Sequence, residues 1–488
     1  MRAPAKRLGG VNPSRGFESH SLRHDNQMST LTIPLSEVNS VSQNSLDQIR
    51  GSTASYHVWT IGCQMNVADS ERLESALDQM GLSKTTDLAD ADVVVLNSCV
   101  VRQSAEDKVT SMLGHMKPLK HENKNKIVAL MGCLVGPNTK NLKQQFPQVD
   151  VFMRPQQYQP LLDIVGDRLD IDPSGCVGPL TATPAITAYI PIIHGCNKMC
   201  SFCIIPYRRG REVSRSITDI ARETELLADR GVKEITLLGQ NVDSYGQDLT
   251  ADVDLGDLLE AVHEIDSIER IRFLTSHPND MSDHIIETVA ELPKVCENIN
   301  LPFQAGDNDV LTRMRRGYTN REYRDKIEKI REKIPGVSVT TDLIVGFCGE
   351  TDKQFEQTYN LVKDIRFDKV HSAMYSTRPG TIASKKMEDD VPAETKRERL
   401  HAIDDLQTDI QGEINKRYHD ETVEVLIEDI KRGTAYGRNR NDKLVYVDDA
   451  THSIGQSVNV TIHRTGPWSL GGVLKPFTGE DGGSNGHS

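Results

Sequence analysis

The sequence predicts an α/β protein of three folded units: an N-terminal domain on a parallel sheet, a central parallel barrel, complete or partial, and a small C-terminal β-barrel. Three observations carry this. Over 55–170 short apolar runs alternate with helical patterns, as in βαβ units. The alternation resumes over about 185–385 and repeats six times. From 420 to 475 short alternating runs are separated by turn residues.

Length and composition set the frame. A chain of 488 residues is too long for one ordinary domain. Its formal charge is −13, which does not favour nucleic-acid binding by average charge. Local basic stretches exist all the same: 313–333 holds nine Lys and Arg against four acids, and YRRGRE (207–212) is basic. A solvated helix face is the plain reading of such a run. Nine cysteines are too few for a disulfide framework, and no apolar run approaches the ~20 residues of a membrane span. A cytoplasmic protein without a membrane partner is expected, in which thiols serve as metal ligands.

Residues 1–54 lack apolar periodicity and are expected to be a disordered or mis-assigned extension. Gly16–Ser19 reads GFES, which a tRNA T-arm sequence would encode, so Met28 is the expected start. The first unit, 55–170, has expected strands YHVWTI (56–61), DVVVL (92–96), KIVALM (126–131) and VDVF (149–152). Cys63 follows the first, Cys99 the second and Cys133 the third. The C-terminal ends of parallel strands share one edge, where ligands bind. One such cysteine is usually a small core residue, but three at equivalent ends point to a metal site.

The second unit, 185–418, has expected strands AYIPII (188–193), EITLL (234–238), RIRFL (270–274), ENINL (297–301), VSVTTDLIV (337–345) and KVHSAM (369–374). A helix over 216–230 opens on Ser216 with Asp219 three residues on, a capping-box-like start. Just past the first strand, HGCNKMCSFCIIPY (194–207) packs Cys196, Cys200 and Cys203 into one loop. Structural zinc wants four ligands. Three thiolates can hold three corners of a cubic iron–sulfur cluster and leave the fourth iron open to a substrate. A charged helical pattern from Pro392 to Tyr418 leads to the third unit, 419–478, whose strands are TVEVLIED, KLVYVD and SVNVTIH, with GRNRND as a turn. A Gly/Ser-rich tail, 479–488, is expected to be disordered.

CxxxCxxC after the first strand of such a barrel resembles the radical S-adenosylmethionine (SAM) superfamily. Further stretches narrow this: IGCQMNVADSE (61–71), the three strand-end cysteines, LLGQNVDSYG (237–246), TSHP (275–278) and TTDLIVGF (340–347). Together they resemble the methylthiotransferase family, over about 55–475. GCQMN (62–66) is similar to the branch acting on isopentenyladenosine in tRNA; the sister groups carry GCKVN-like or GCPKN-like residues there. The chain departs from the family in Gln304-Ala305-Gly306-Asp307, where QSGS-like residues are usual, and in GFCGET, with Cys348 for Pro. Cys176, Cys296 and Cys348 match no ligand motif.

The resemblance implies two 4Fe–4S clusters: a catalytic one on Cys196, Cys200 and Cys203, whose open iron chelates SAM, and an auxiliary sulfur donor on Cys63, Cys99 and Cys133. It implies a SAM pocket lined by Gly239, Gln240, Asn241, Gln304, Ile344 and Gly346. One SAM would methylate a cluster-associated sulfur, and a second would supply the radical that takes hydrogen from adenine C2. The implied architecture is a methylthiotransferase N-terminal domain, a radical-SAM partial (βα)6 barrel and a C-terminal TRAM barrel that binds RNA. The implied partners are the tRNA anticodon stem-loop carrying isopentenyladenosine and a one-electron donor such as flavodoxin or ferredoxin, with the enzyme a monomer. Segment 313–333 and Arg208, Arg209 and Arg211 are candidate backbone contacts. Two competing readings are a methylthiotransferase for threonylcarbamoyladenosine in tRNA and a non-catalytic iron–sulfur RNA-binding regulator. A third is a sulfur inserter for a lipoyl or biotin precursor, which would not need the C-terminal barrel.

Overall fold

A computed structural model describes residues 54–100, 103–171 and 185–475. The extension before residue 54, the tail from 476 and Cys176 lie outside the described residues. Among these, no helix is long and apolar enough to cross a membrane.

The first unit is a five-stranded parallel sheet: β1 (Ser55–Thr60), β2 (Ser83–Lys84), β3 (Val93–Ser98), β4 (Ile127–Gly132) and β5 (Val151–Met153), in the order β2-β1-β3-β4-β5. β3 and β4 are buried at every residue, which explains their unbroken apolar runs. β1 feeds a crossover to one side and β3 to the other. Ligands of such sheets sit at that divergence, outside the strand C-termini. The two-residue β2 is an addition to the four expected strands; Ser83 and Lys84 are too short a run to register as periodicity.

The second unit has six parallel strands as expected: β6 (Thr187–Pro191), β9 (Glu234–Leu238), β10 (Arg270–Leu274), β11 (Asn298–Asn300), β12 (Ser338–Val345) and β13 (Lys369–Met374). They form two three-stranded halves, β6-β9-β10 and β11-β12-β13, joined by a parallel bridge from Ile271 to Val295. β6 and β13 are the free edges, so the barrel is partial and has a lateral opening. Helices cover its outside over one continuous apolar core. The helix Ile217–Ala228 starts at Ser216, whose hydroxyl accepts from the Asp219 N–H; the reciprocal half of a capping box is not formed. The charged pattern after Pro392 is the helix Ala393–Lys416.

Two short strands, β7 (Ile193–His194) and β8 (Val213–Ser214), pair antiparallel and close the loop that carries the cysteine triplet. The C-terminal unit is a closed five-stranded barrel: β14 (Thr422–Lys431), β15 (Thr434–Asn439), β16 (Leu444–Asp448), β17 (Ser457–Thr465) and β18 (Leu470–Leu474). β15 and β18 were not expected, and part of GRNRND lies in β15. Both strands contain glycines, which read as turns in sequence. At Gly437 a Cβ would lie 1.8 Å from the Leu426 carbonyl oxygen, beside the bulge between Ile427 and Asp429.

This small barrel docks under the N-terminal ends of the central strands. Arg272 donates to the carbonyls of Arg440 and Asn439, each at 2.8 Å. Arg440 holds Glu297 through two nitrogens at 2.7 and 2.9 Å. Lys443 pairs with Asp368 at 2.9 Å.

Candidate active site

β3 and β4 pair Ser98 with Gly132, so Cys99 and Cys133 leave the sheet side by side. The Cys133 N–H donates to the Ser98 carbonyl at 2.9 Å. Gly132 makes this approach possible: its φ is +105°, and a Cβ there would sit 2.3 Å from the Ser98 carbonyl oxygen. Gly132→Ala is expected to lower stability by about 1–3 kcal/mol or more, read as a shifted denaturant midpoint. Cys63 sits at the N-cap of the helix Gln64–Gln79. Asn66, one turn in, donates to Asn97 Oδ1 at 3.0 Å and to the Ser98 carbonyl at 2.9 Å; Asn97 donates back to the Asn66 carbonyl at 2.7 Å. These buried amides tie the first cysteine's helix to the second cysteine's strand.

The loop of Cys196, Cys200 and Cys203 is held separately. Cys196 N–H donates to the Gly210 carbonyl at 3.1 Å, and Asn197 N–H to Glu212 at 3.0 Å. Lys198 pairs with Asp280 at 2.7 Å, and Asn241 donates to the other oxygen of Asp280 at 2.6 Å. His277, buried beside this group, is pushed down to about 2 by burial and by Arg316 and Lys198, and is neutral at physiological pH.

Each triplet has one buried arginine against one of its sulfurs. Arg209 Nε lies 3.3 Å from Cys133 Sγ, and Arg316 Nη1 lies 3.3 Å from Cys200 Sγ. Burial pushes the thiols of Cys133 and Cys196 up to about 11 and that of Cys203 to about 12. As free thiols they are neutral, and metal uptake would release their protons. Among the described residues no cysteine triplet brings its sulfurs all within 4.8 Å of one another. Thiolates around one tetrahedral zinc, with bonds of about 2.3 Å, would be closer than that. All-sulfur donor sets are of the kind that hold iron–sulfur clusters.

Cys63, Cys99 and Cys133 face Cys203 across one cavity of about 630 Å³. Of the residues expected in a SAM pocket, Gly239, Gln240, Gln304 and Ile344 line it. Asn241 and Gly346 do not: Asn241 braces the cysteine loop through Asp280, and Gly346 packs on the Lys396 stem. Tyr375 and Arg378 also line the cavity and had no motif to mark them. The expected phosphate contacts are corrected in part. Arg209 and Arg316 are turned inward onto cysteine sulfurs. Much of the remaining basic segment is the helix Asn320–Lys333, whose Arg324, Lys329 and Lys333 pair with Asp364, Asp283 and Glu287. A spaced charge run marks a helix face without telling which acids lie opposite.

Profiles of three families match the chain: the radical SAM superfamily over 190–362, uncharacterized protein family UPF0004 over 55–154, and the TRAM domain over 416–475. The tRNA-2-methylthio-N(6)-dimethylallyladenosine synthase of Dehalococcoides mccartyi is 46% identical over 415 residues, 85% of this chain and 97% of that one. The synthase of the same name from Roseiflexus sp. is 47% identical over 424 residues, 86% and 89% of the two chains. Among solved structures, the radical SAM methyltransferase TsrM from Kitasatospora setae shares the fold, with a TM-score of 0.51 at 12% identity over 68% of this chain and 77% of that one. With relatives this similar along nearly their whole length, the chain belongs to the tRNA-2-methylthio-N(6)-dimethylallyladenosine synthase family of radical SAM enzymes.

Proposed function

We propose that the protein adds a methylthio group to C2 of N6-isopentenyladenosine beside the anticodon of tRNA. The observation that carries this is the cavity onto which Cys63, Cys99 and Cys133 open together with Cys203 of the other triplet. Cys196, Cys200 and Cys203 would hold a 4Fe–4S cluster with SAM, and Cys63, Cys99 and Cys133 an auxiliary cluster. Bound there, these groups supply one-electron chemistry at an unactivated carbon and a transferable sulfur. The chain's own residues position and enclose them. Lys198, Asn241 and Asp280 stiffen the first loop, and Asn66 and Asn97 the second site. Phe202, Leu238, Leu274 and Met65 line the cavity and keep it poor in water.

The nucleotide would enter from the side. A second space of about 730 Å³ reaches from Cys63 and Cys99, between Tyr189 on β6 and Lys369 and His371 on β13, to Arg438 of the C-terminal barrel. Lys108 and Lys369 give it cations for a backbone. An external one-electron donor of the flavodoxin or ferredoxin type completes the turnover. The test offers the purified, reconstituted enzyme two tRNAs, one with isopentenyladenosine and one with threonylcarbamoyladenosine. Nucleoside mass spectrometry is expected to find methylthio product from the first. Preference for the second would move the chain to the sister activity.

A further inference from the structure

Arg209 is spent on something other than the phosphate contact its basic surroundings suggest. It ends the helix Ile205–Arg209, six residues after Cys203, yet its side chain reaches the other triplet. Nε points at Cys133 Sγ at 3.3 Å, and Nη2 donates to Asp69 Oδ2 at 2.8 Å. The two side chains are 2% and 0% exposed. Among the described residues Arg209 Nη1 and Asp69 Oδ1 have no hydrogen-bond partner, and Arg209 lines the cavity beside Cys63, Cys99 and Cys133. A buried ion pair with unsatisfied atoms is poor stabilisation. A cation there makes sense against a group that is itself anionic, as a cluster held by three thiolates is.

We propose that Arg209, held by Asp69, sets the reduction potential of the auxiliary cluster by donating to the Cys133 sulfur. The inference rests on the reading that Cys63, Cys99 and Cys133 hold that cluster. Hydrogen bonds to cluster sulfurs and net local charge are the protein's means of moving such potentials. A guanidinium at Cys133 favours the more negative, reduced state by both routes, and so raises the potential. Asp69 fixes the fork and offsets part of its charge. Arg209 is therefore a positioning residue that acts through Cys133. It also couples the two sites mechanically, because the loop that supplies Cys203 supplies the donor to Cys133.

The experiment uses the full chain with Cys196, Cys200 and Cys203 replaced by alanine, so that only the auxiliary signal is read. It is reconstituted anaerobically with ferrous iron and sulfide, and its potential is followed by electron paramagnetic resonance. In this background Arg209→Gln is expected to keep the cluster and shift its potential negative. Asp69→Asn is expected to shift it positive, since the guanidinium is no longer offset. A merely structural pair would not give opposite signs. No shift in R209Q, or shifts of one sign in both variants, would overturn the inference. If R209Q takes up no iron, D69N decides: an unshifted or negative potential there overturns the inference, as does loss of iron from both variants with unchanged circular dichroism. A parent that takes up no cluster overturns the underlying reading and the inference with it.

Discussion

Replacing Cys99 with alanine is expected to abolish methylthio transfer while leaving about half the iron, as loss of one of two such clusters would. Reductive cleavage of SAM, read as 5′-deoxyadenosine, should persist. Cys99 is 6% exposed and follows Ser98, whose neighbour across the sheet is Gly132, so its sulfur belongs to the N-terminal triplet. The other triplet is closed by its own ladder, Ile193 to Ser214 and His194 to Val213, and braced by Lys198 on Asp280. None of these contacts passes through Cys99. Cys200→Ala should behave in the opposite way, losing 5′-deoxyadenosine and all product together, because its sulfur, against Arg316, belongs to the loop proposed to bind SAM. Circular dichroism guards against misfolding of the N-terminal sheet. Normal product from the Cys99 variant would make the strand-end cysteines ordinary core residues and end the donor-cluster reading.

The gathering of three cysteines was legible because each follows a strand, and parallel topology brings strand ends to one edge. Cys63, Cys99 and Cys133 stand some 35 residues apart, and only the sheet brings them to one cavity. The central strands Glu234–Leu238 and Ser338–Val345 were legible for a related reason: their mostly buried residues read as apolar runs. What escaped was set by partners. Asn241 belongs to a stretch that looks like a SAM pocket, yet its amide is taken by Asp280, 39 residues on. Arg209 and Arg316 looked like surface cations until the fold placed a cysteine sulfur beside each. β15 and β18 were hidden by their glycines, since a strand that lets another backbone approach closely loses its side-chain signal there.

The second large effect is expected at Arg272, at the joint with the C-terminal barrel. Its guanidinium lies 2.9 Å from Glu234 and donates to the Arg440 and Asn439 carbonyls of the C-terminal barrel. Both charged side chains are 5% exposed. Arg272→Ala removes the nearest cation from a buried carboxylate and takes a donor from two carbonyls, of which Asn439 keeps the Asp442 N–H at 3.1 Å. Arg270, 4.0 Å from Glu234, compensates only in part. Breaking a buried pair from one side costs about 3–5 kcal/mol. That cost falls on the joint between the units, so thermal unfolding should split, with the C-terminal barrel released before the central one melts. Arg272→Lys keeps a charge but not the planar fork that spans the carboxylate and both carbonyls, and should recover only part of the loss. Basal SAM cleavage should survive in both variants, because the cysteine loop lies at the other end of the strands. Methylthiolation of tRNA should need more tRNA to saturate, the alanine variant most of all. A single, unshifted unfolding transition in Arg272→Ala, with an unchanged KM for tRNA, would show that the other contacts, Arg440 on Glu297 and Lys443 on Asp368, hold the barrel without it.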